Sequence, residues 1–465
     1  MHTKQIFTVT DLGGGDGGKG GIVHKIAIET NAHTVLKVGG AQGSHGVRTS
    51  RGEAFNFSQW GCGTFEGVPT HVTSLMVIDP VGFVHEGNRL RFQHGVPNAF
   101  DMITVDENCL CATSFHGIAS RLRELARKGK QKGTVGVGIG EAKLDSELRP
   151  DLAIYAKDLG SPDLFDRIEA VRKHKLSELS EIIENIRDLW PNDLSLAERE
   201  IDLLNDEGYS RWITAKFHEM KSRTRIVPAE YLSREILSKD GTAVVESSHG
   251  VLTDKYYGFH PYVSRLRTLP EATAGLLRSA GYDGEIVRLG VTRAYQIRHG
   301  AGPLVTESSE LTDKLLPGSH KNENRWQGKV RVGPLDFVAL RYAVDVCGGP
   351  GAFDGIAVTW FDQILVAGAW RMCDRYLKTN GSEFFSSDGR TINVRRGEDE
   401  SQIRRQAELA EALFKCAPAI DSHEPLGKGD EAKATELCSA VFDEKLGVPV
   451  RMISFGSTED GKVCL

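Results

Sequence analysis

The stretch DLGGGDGGKGG, residues 11–21, decides how this chain is read. It follows the apolar run IFTVT at 6–10, which predicts a short buried strand, and it opens a helix expected from about residue 19 to residue 30. Gly13 to Lys19 fits G-x-x-x-x-G-K. In such a loop the backbone N–H groups and the helix N-terminus face phosphate, and the lysine adds a point charge. An ordinary P-loop NTPase follows the lysine with Ser or Thr, to hold magnesium; here the residue is Gly20. Gly13, Gly15 and Gly18 also fit G-x-G-x-x-G, yet residues 35–41, VLKVGGA, lack the acid that a dinucleotide fold wants there. Asp16 is the unusual member of the loop. A carboxylate among phosphate-binding amides is repelled by the ligand unless it binds metal or abstracts a proton. The bland alternative is a turn aspartate facing solvent.

The pattern repeats outward from this loop. TVLKV (34–38), SLMVI (74–78), TAVVE (242–246), EIVRLGV (285–291) and GIAVTW (355–360) read as further buried strands. Strands alternating with helical segments predict an α/β fold with a large, mainly parallel central sheet. Leu176, Leu179, Ile182, Ile183, Ile186 and Leu189 recur at helical spacing. Pro191 stops that helix, and Asp193 or Ser195 starts the next. Residues 160–240 are therefore read as a helical insertion, 374–402 as a polar surface excursion, and 1–465 as one domain. The second glycine loop, VGGAQGSHGV (38–47), places His45 just beyond a strand. Next to a phosphate-type loop, Asp16 and His45 suggest paired base and acid chemistry at a transferring phosphoryl group.

Composition narrows the classes. Apolar residues make up 40% and charged residues 26% of 465, a globular balance. The net charge of −6 argues against a non-specific nucleic-acid binder. No apolar run reaches a membrane span, and the N-terminus lacks a signal-peptide pattern. The eight cysteines form no C-x-x-C pair and are expected as unpaired thiols in a reducing, cytoplasmic setting.

Six segments in order resemble the adenylosuccinate synthetase family. Its G-D-E-G-K-G-K is GDGGKGG at 15–21, and its G-G-N-N-A-G-H-T is GGAQGSHG at 39–46. G-T-T-G-R-G-I-G is similar to GTVGVGIG (133–140), and E-G-A-Q-G to ESSHG (246–250). K-A-Y-x-x-R-V-G-A-G-P-F-P-T-E is similar to RAYQIRHGAGPLVTE (293–307), and G-V-P-V-x-x-I-S-x-G-P to GVPVRMISFGS (447–457). The resemblance implies a C–N ligase. A nucleoside triphosphate, GTP or ATP, phosphorylates the six-position oxygen of a purine nucleoside monophosphate, and the amine of aspartate or a relative then displaces the phosphate. It implies Asp16 as base and metal ligand, His45 as acid, and Lys19 on phosphoryl oxygens. It places Ser44 with Asp16 on Mg2+, and nucleotide or phosphate on Gly15, Gly17, Gly18, Gly20, Gln42, Gly43, Thr134, His249 and Ser264. Arg149 would come from the partner of a homodimer. Asp362, Ser454 and Gly456 would hold the donor base, and Arg325, Lys329 and Arg331 the amino acid.

The departures from the pattern matter equally. The family's base-orienting glutamine is His249, its second motif threonine is Val135, and the motif arginine is Val137. The guanine-reading T-K-L-D is Thr359-Trp360-Phe361-Asp362. The amino-acid loop NENRWQGKVRVG (322–333) has lost both threonines and gained Trp326, so an altered amine donor is one expectation. Alternatives are a phage-type synthetase acting on a guanine nucleotide, a nucleotide-binding pseudoenzyme or regulatory protein, and another phosphotransferase on the same fold.

Overall fold

The computed structural model describes residues 4–190, 194–316, 326–379, 382–423 and 426–465. The run at 6–10 extends to a strand, β1 (Lys4–Asp11), and Lys19–Glu29 forms the helix α1. Thr34–Gly40 (β2) is buried along its whole length. These three elements start an 11-stranded sheet. Across the sheet the strands run Lys462–Cys464, Val450–Ser454, Gly355–Thr359, Glu285–Arg293, β1, Gly241–Ser247, β2, Thr70–Ile78, Ile103–Asp106 and Arg225–Val227. Leu110–Cys111 also pairs with Thr70–Ile78. Every pairing is parallel except that of the terminal strand Lys462–Cys464. All six strand segments read from the sequence lie in this sheet, because each is a largely buried, apolar run rich in β-branched residues.

A parallel sheet sends all its connecting loops out at the carboxyl ends of its strands, which is where ligands bind. Here β1, β2, Gly241–Ser247, Glu285–Arg293, Gly355–Thr359 and Val450–Ser454 all end on the same edge. The turn into α1 needs glycine at its cap. Gly18 has φ 90°, and a Cβ there would stand 2.9 Å from the Thr359 hydroxyl. Ile22, Val23, Ile26 and Ala27 then seal α1 onto the sheet.

Two expectations change in extent. The helical stretch comprises Leu164–Glu178, Ser180–Leu189, Ser195–Asn205 and Glu207–Arg223, and only a short helical turn, Leu232–Ile236, follows before 240. Arg225–Val227 rejoins the central sheet beside Ile103–Asp106, and Gly241–Ser247 is a central strand. The six periodic residues span two helices, broken at Leu179, and Ser195 opens the third; Pro191 and Asp193 lie outside the described residues. The excursion expected at 374–402 begins inside a strand, Arg371–Leu377, which pairs with Leu335–Asp336 and Ala417–Ser422. Its end is the start of helix Glu400–Leu413. All eight cysteines are free. Among the described residues no helix is long and apolar enough to cross a membrane.

Candidate active site

The loops at the carboxyl edge enclose a cleft of about 840 Å³. The N-terminal glycine loop forms its floor. Asp11, the last residue of β1, points into that loop and organises it. Its carboxylate accepts from Gly13 N–H (2.9 Å), Gly17 N–H (2.8 Å) and the Lys19 ammonium (2.9 Å). Lys19 also donates to the His249 carbonyl (2.6 Å). Gly17 leaves room for this, since a Cβ there would lie 2.7 Å from Asp11 Oδ2.

Asp16 crowns the loop with φ 60°. Arg293 Nε donates to its carbonyl oxygen at 2.6 Å, and His299 Nε2 meets its carboxylate Oδ2 at 2.7 Å. The Arg293 guanidinium lies over the Trp360 ring, 4.3 Å from its centre. A carboxylate so held faces the cleft, where it can take a proton from a ring nitrogen.

The second glycine loop brings His45 to the same cleft. Lys37 on β2 and Glu246 on Gly241–Ser247 are register partners, both fully buried. Lys37 donates to Glu246 Oε1 at 2.7 Å, His45 Nδ1 contacts the same oxygen at 2.6 Å, and Cys62 N–H donates to Oε2 at 2.8 Å. Burial raises the Glu246 carboxyl; the Lys37 ammonium, with His45, outweighs it and holds it well below the usual carboxylate range. Burial keeps His45 below the ordinary histidine value, against the opposing pull of Glu246. With Nδ1 on Glu246, Nε2 is the nitrogen available to a ligand in the cleft. His45, Cys62 and Glu246 could hold a metal by spacing, but Lys37 already neutralises this carboxylate.

The adenylosuccinate synthetase family model matches residues 9–461. The chain belongs to this family. Such proteins are C–N ligases that spend a nucleoside triphosphate. An adenylosuccinate synthetase of Dehalococcoides mccartyi is 29% identical over 371 residues, covering 78% of this chain and 79% of the relative. One from Francisella tularensis is 24% identical over 392 residues, covering 83% and 81%. Among solved structures, the fully ligated adenylosuccinate synthetase of Plasmodium falciparum matches with TM-score 0.73 and 17% identity, over 100% of both chains. The cyanophage S-2L succinoaminodeoxyadenylate synthetase, bound to dGMP and dATP as an energy donor, matches with TM-score 0.55 and 13% identity, over 99% of this chain and 95% of the other.

Most residues that the adenylosuccinate synthetase pattern singles out line the one cleft. They are Gly15, Asp16, Gly18, Lys19, Gly20, Gln42, Gly43, Ser44, His45, Thr134, His249, Ser264, Asp362, Ser454 and Gly456. Gly17 lies beneath it, its N–H spent on Asp11. His249 accepts a hydrogen bond from Gln42 Nε2 at 2.7 Å; burial and then Lys19 push its imidazole down to about 4, so it is neutral at pH 7. Arg149 is on the exterior, paired with Asp151 at 2.7 Å. Arg325 lies outside the described residues. Lys329 is exposed, and Arg331 braces the 300–302 turn by donating to Gly300 and Gly302 carbonyls and pairing with Glu307.

Several residues in this adenylosuccinate synthetase cleft were not singled out by the sequence reading. Arg298 lines the wall, its guanidinium held down to about 10 by burial and by Arg331, and still charged at neutral pH. His299 and Arg293 contact Asp16, and Trp360, read from the sequence only as the replacement of a guanine-reading lysine, packs on Arg293. Asp11 and Lys37 had a usable signal: each is a charged residue in a run that otherwise reads as a buried strand, which demands a buried partner.

Proposed function

We propose that this chain joins aspartate, or a close relative, to the six-position of a purine nucleoside monophosphate, at the expense of a nucleoside triphosphate. The convergence of Asp16, Lys19 and His45 in one cleft carries this reading. Asp16 removes the ring N–H proton. The six-oxygen then attacks the terminal phosphorus, and the nucleoside diphosphate leaves. Lys19 and loop amides neutralise the phosphoryl oxygens, and His45 Nε2 hydrogen-bonds to them. The amine next displaces phosphate from the ring carbon, losing a proton. Asp362, a pure acceptor on the cleft wall, supports a guanine donor, whose ring N–H and amino group it would accept. Arg298 supports an acidic amine donor.

The oxygen donors lining the cleft, the Asp16 carboxylate and the Ser44 hydroxyl, suit a hard cation such as Mg2+. When bound, Mg2+ neutralises phosphate charge. We read the whole of 1–465 as one synthetase domain with helices 164–223 inserted, and the free thiols support a cytoplasmic setting.

The test is a screen. GTP or ATP, several purine monophosphates including IMP and dGMP, and all twenty amino acids are offered, with phosphate release and product mass measured. The expected result is release that requires both acceptor and amino acid, and a product equal to acceptor plus amino acid less water. Release without any amino acid would make it a different phosphotransferase, and none at all a pseudoenzyme. Product with a guanine monophosphate instead of IMP would make it phage-type.

We further read the protein as a homodimer in which Arg149 serves the neighbouring cleft. Its position away from its own cleft and the 69% exposure of the adjacent Leu148 support this. Sedimentation with substrates bound should give twice the chain mass; a monomer there ends the idea.

A further inference from the structure

The strands Gln296–His299 and Val330–Gly333 pair so that Arg298 stands opposite Arg331. The two guanidiniums are provided for differently. Arg331 has a countercharge, Glu307 at 2.6 Å, and donates to the carbonyls of Gly300 and Gly302. Arg298 lines the cleft, is only 8% exposed, and meets no carboxylate among the described residues. There its hydrogen bonding amounts to Nη2 donating to the Tyr262 carbonyl at 3.1 Å, while its Nε is enclosed without a partner. A charge taken from water and left uncompensated weakens the folded protein, because its hydration is lost and nothing replaces it. Such a charge in a cleft wall calls for an anionic ligand.

The surroundings say which anion. A Cβ at Gly302 would collide with Nη2, so glycine there makes room for the guanidinium. Nη1 stands over the N-terminal loop, 3.6 Å from where a Cβ at Gly14 would be. Gly14 lies on the shoulder of the loop that leads to Asp16. The other end, Gly18 and Lys19, opens α1, and a helix N-terminus favours phosphate there.

We propose that Arg298 binds a carboxylate of the amine donor, so that the reaction requires an amine that carries one. This rests on the synthetase reading, in which the amine stands beside the six-position carbon, close to Asp16. The donor's carboxylate supplies the countercharge and accepts from the planar guanidinium fork, a geometry that an ammonium does not reproduce. A charge kept for a ligand has a signature that a purely structural arginine lacks. Its removal costs binding and spares the stability of the free protein.

The experiment compares wild type, R298M and R298K. The amines are aspartate, its two monoamides and methylamine, each with the nucleotides the enzyme accepts. R298M should raise KM for aspartate about thirtyfold or more, the scale for truncating one partner of a desolvated charge pair. KM for both nucleotides should change less than about threefold. R298K, which keeps the charge but not the fork, should fall between R298M and wild type. One monoamide, the one without the carboxylate that Arg298 holds, should have nearly the same KM in R298M as in wild type. Methylamine should give no product. Thermal melts add a readout that needs no turnover. Ligand-free R298M should melt no more than about 2 °C below wild type. Aspartate, added over the monophosphate and a nucleoside diphosphate, should raise Tm in wild type and leave R298M nearly unmoved. An unchanged aspartate KM in R298M overturns the proposal. A rise confined to the nucleotides does so too, since it assigns the guanidinium to phosphate. A fall of many degrees in ligand-free R298M makes the arginine structural, and product from methylamine removes the carboxylate requirement; both overturn the proposal and leave the synthetase reading intact. An inactive wild type that aspartate still stabilises through Arg298 ends the synthetase reading and leaves the carboxylate site standing.

Discussion

Asp16→Asn is expected to lower turnover by at least about a hundredfold while shifting Tm by no more than about 2 °C. The asparagine keeps the size of the side chain and can still meet His299, so the loop stays in place. What is lost is the ability to take a proton, worth about 10²–10⁴ in rate for a general base. Folding does not depend on this carboxylate: the loop is organised from below by Asp11, whose three contacts survive the change. Steady-state phosphate release and a thermal melt on the same preparation check both halves. Normal turnover, or a large fall in Tm, would remove Asp16 from the chemistry.

Glu246→Gln should do the opposite, damaging stability and activity together. The substitution leaves the Lys37 ammonium buried without its countercharge. Breaking a buried pair in this way costs about 3–5 kcal/mol, which in a chain of this size means a fall in Tm of several degrees. His45 loses the anion that holds its Nδ1, so turnover falls even in the folded fraction. The pH dependence has a definite sign. The Glu246 carboxyl is held below its unfolded value, so the stability it contributes is complete above about pH 4.5 and is lost as pH falls through the folded value. The variant should therefore lose less stability than wild type between pH 5 and pH 3. Some acid sensitivity should persist, because Asp145 and Glu459 are each held near 2 by His116 with Lys175, and by Ser50, after burial is outweighed. A variant as stable as wild type at pH 7 would show that Lys37 has another counterion.

The sheet was legible because its strands carry their own signature: short, β-branched, buried on both faces and bounded by glycine. The helical insertion was legible as a period, but its end was not. RIV at 225–227 is too short to read as a strand, and only its pairing with Ile103–Asp106 makes it one. The start of the excursion was set too early for a related reason, since Arg371–Leu377 mixes buried Asp374 with exposed Arg375 and Leu377 and is made a strand by partners distant in sequence. In the cleft, Asp16, Lys19 and His45 announced themselves by standing in glycine loops. The partners that give them their properties did not. Glu246 was quoted within a motif but its grip on His45 is a contact across 201 positions, and His299 lies 283 positions from Asp16. Such pairings are set by the order of strands in the sheet, which no local pattern encodes.

The Asp11–Lys19 pair also bears on which anions the loop will hold. Lysine and carboxylate are 2.9 Å apart and nearly excluded from solvent, so Lys19 adds little net positive charge to the field outside the loop. A lone chloride or sulfate drifting past feels little attraction from it and gains little by displacing an existing contact. A polyphosphate would differ, because it could meet several loop amides and Lys19 at once. The loop is therefore expected to reward number of contacts rather than charge, holding a nucleotide's phosphates better than a lone small anion.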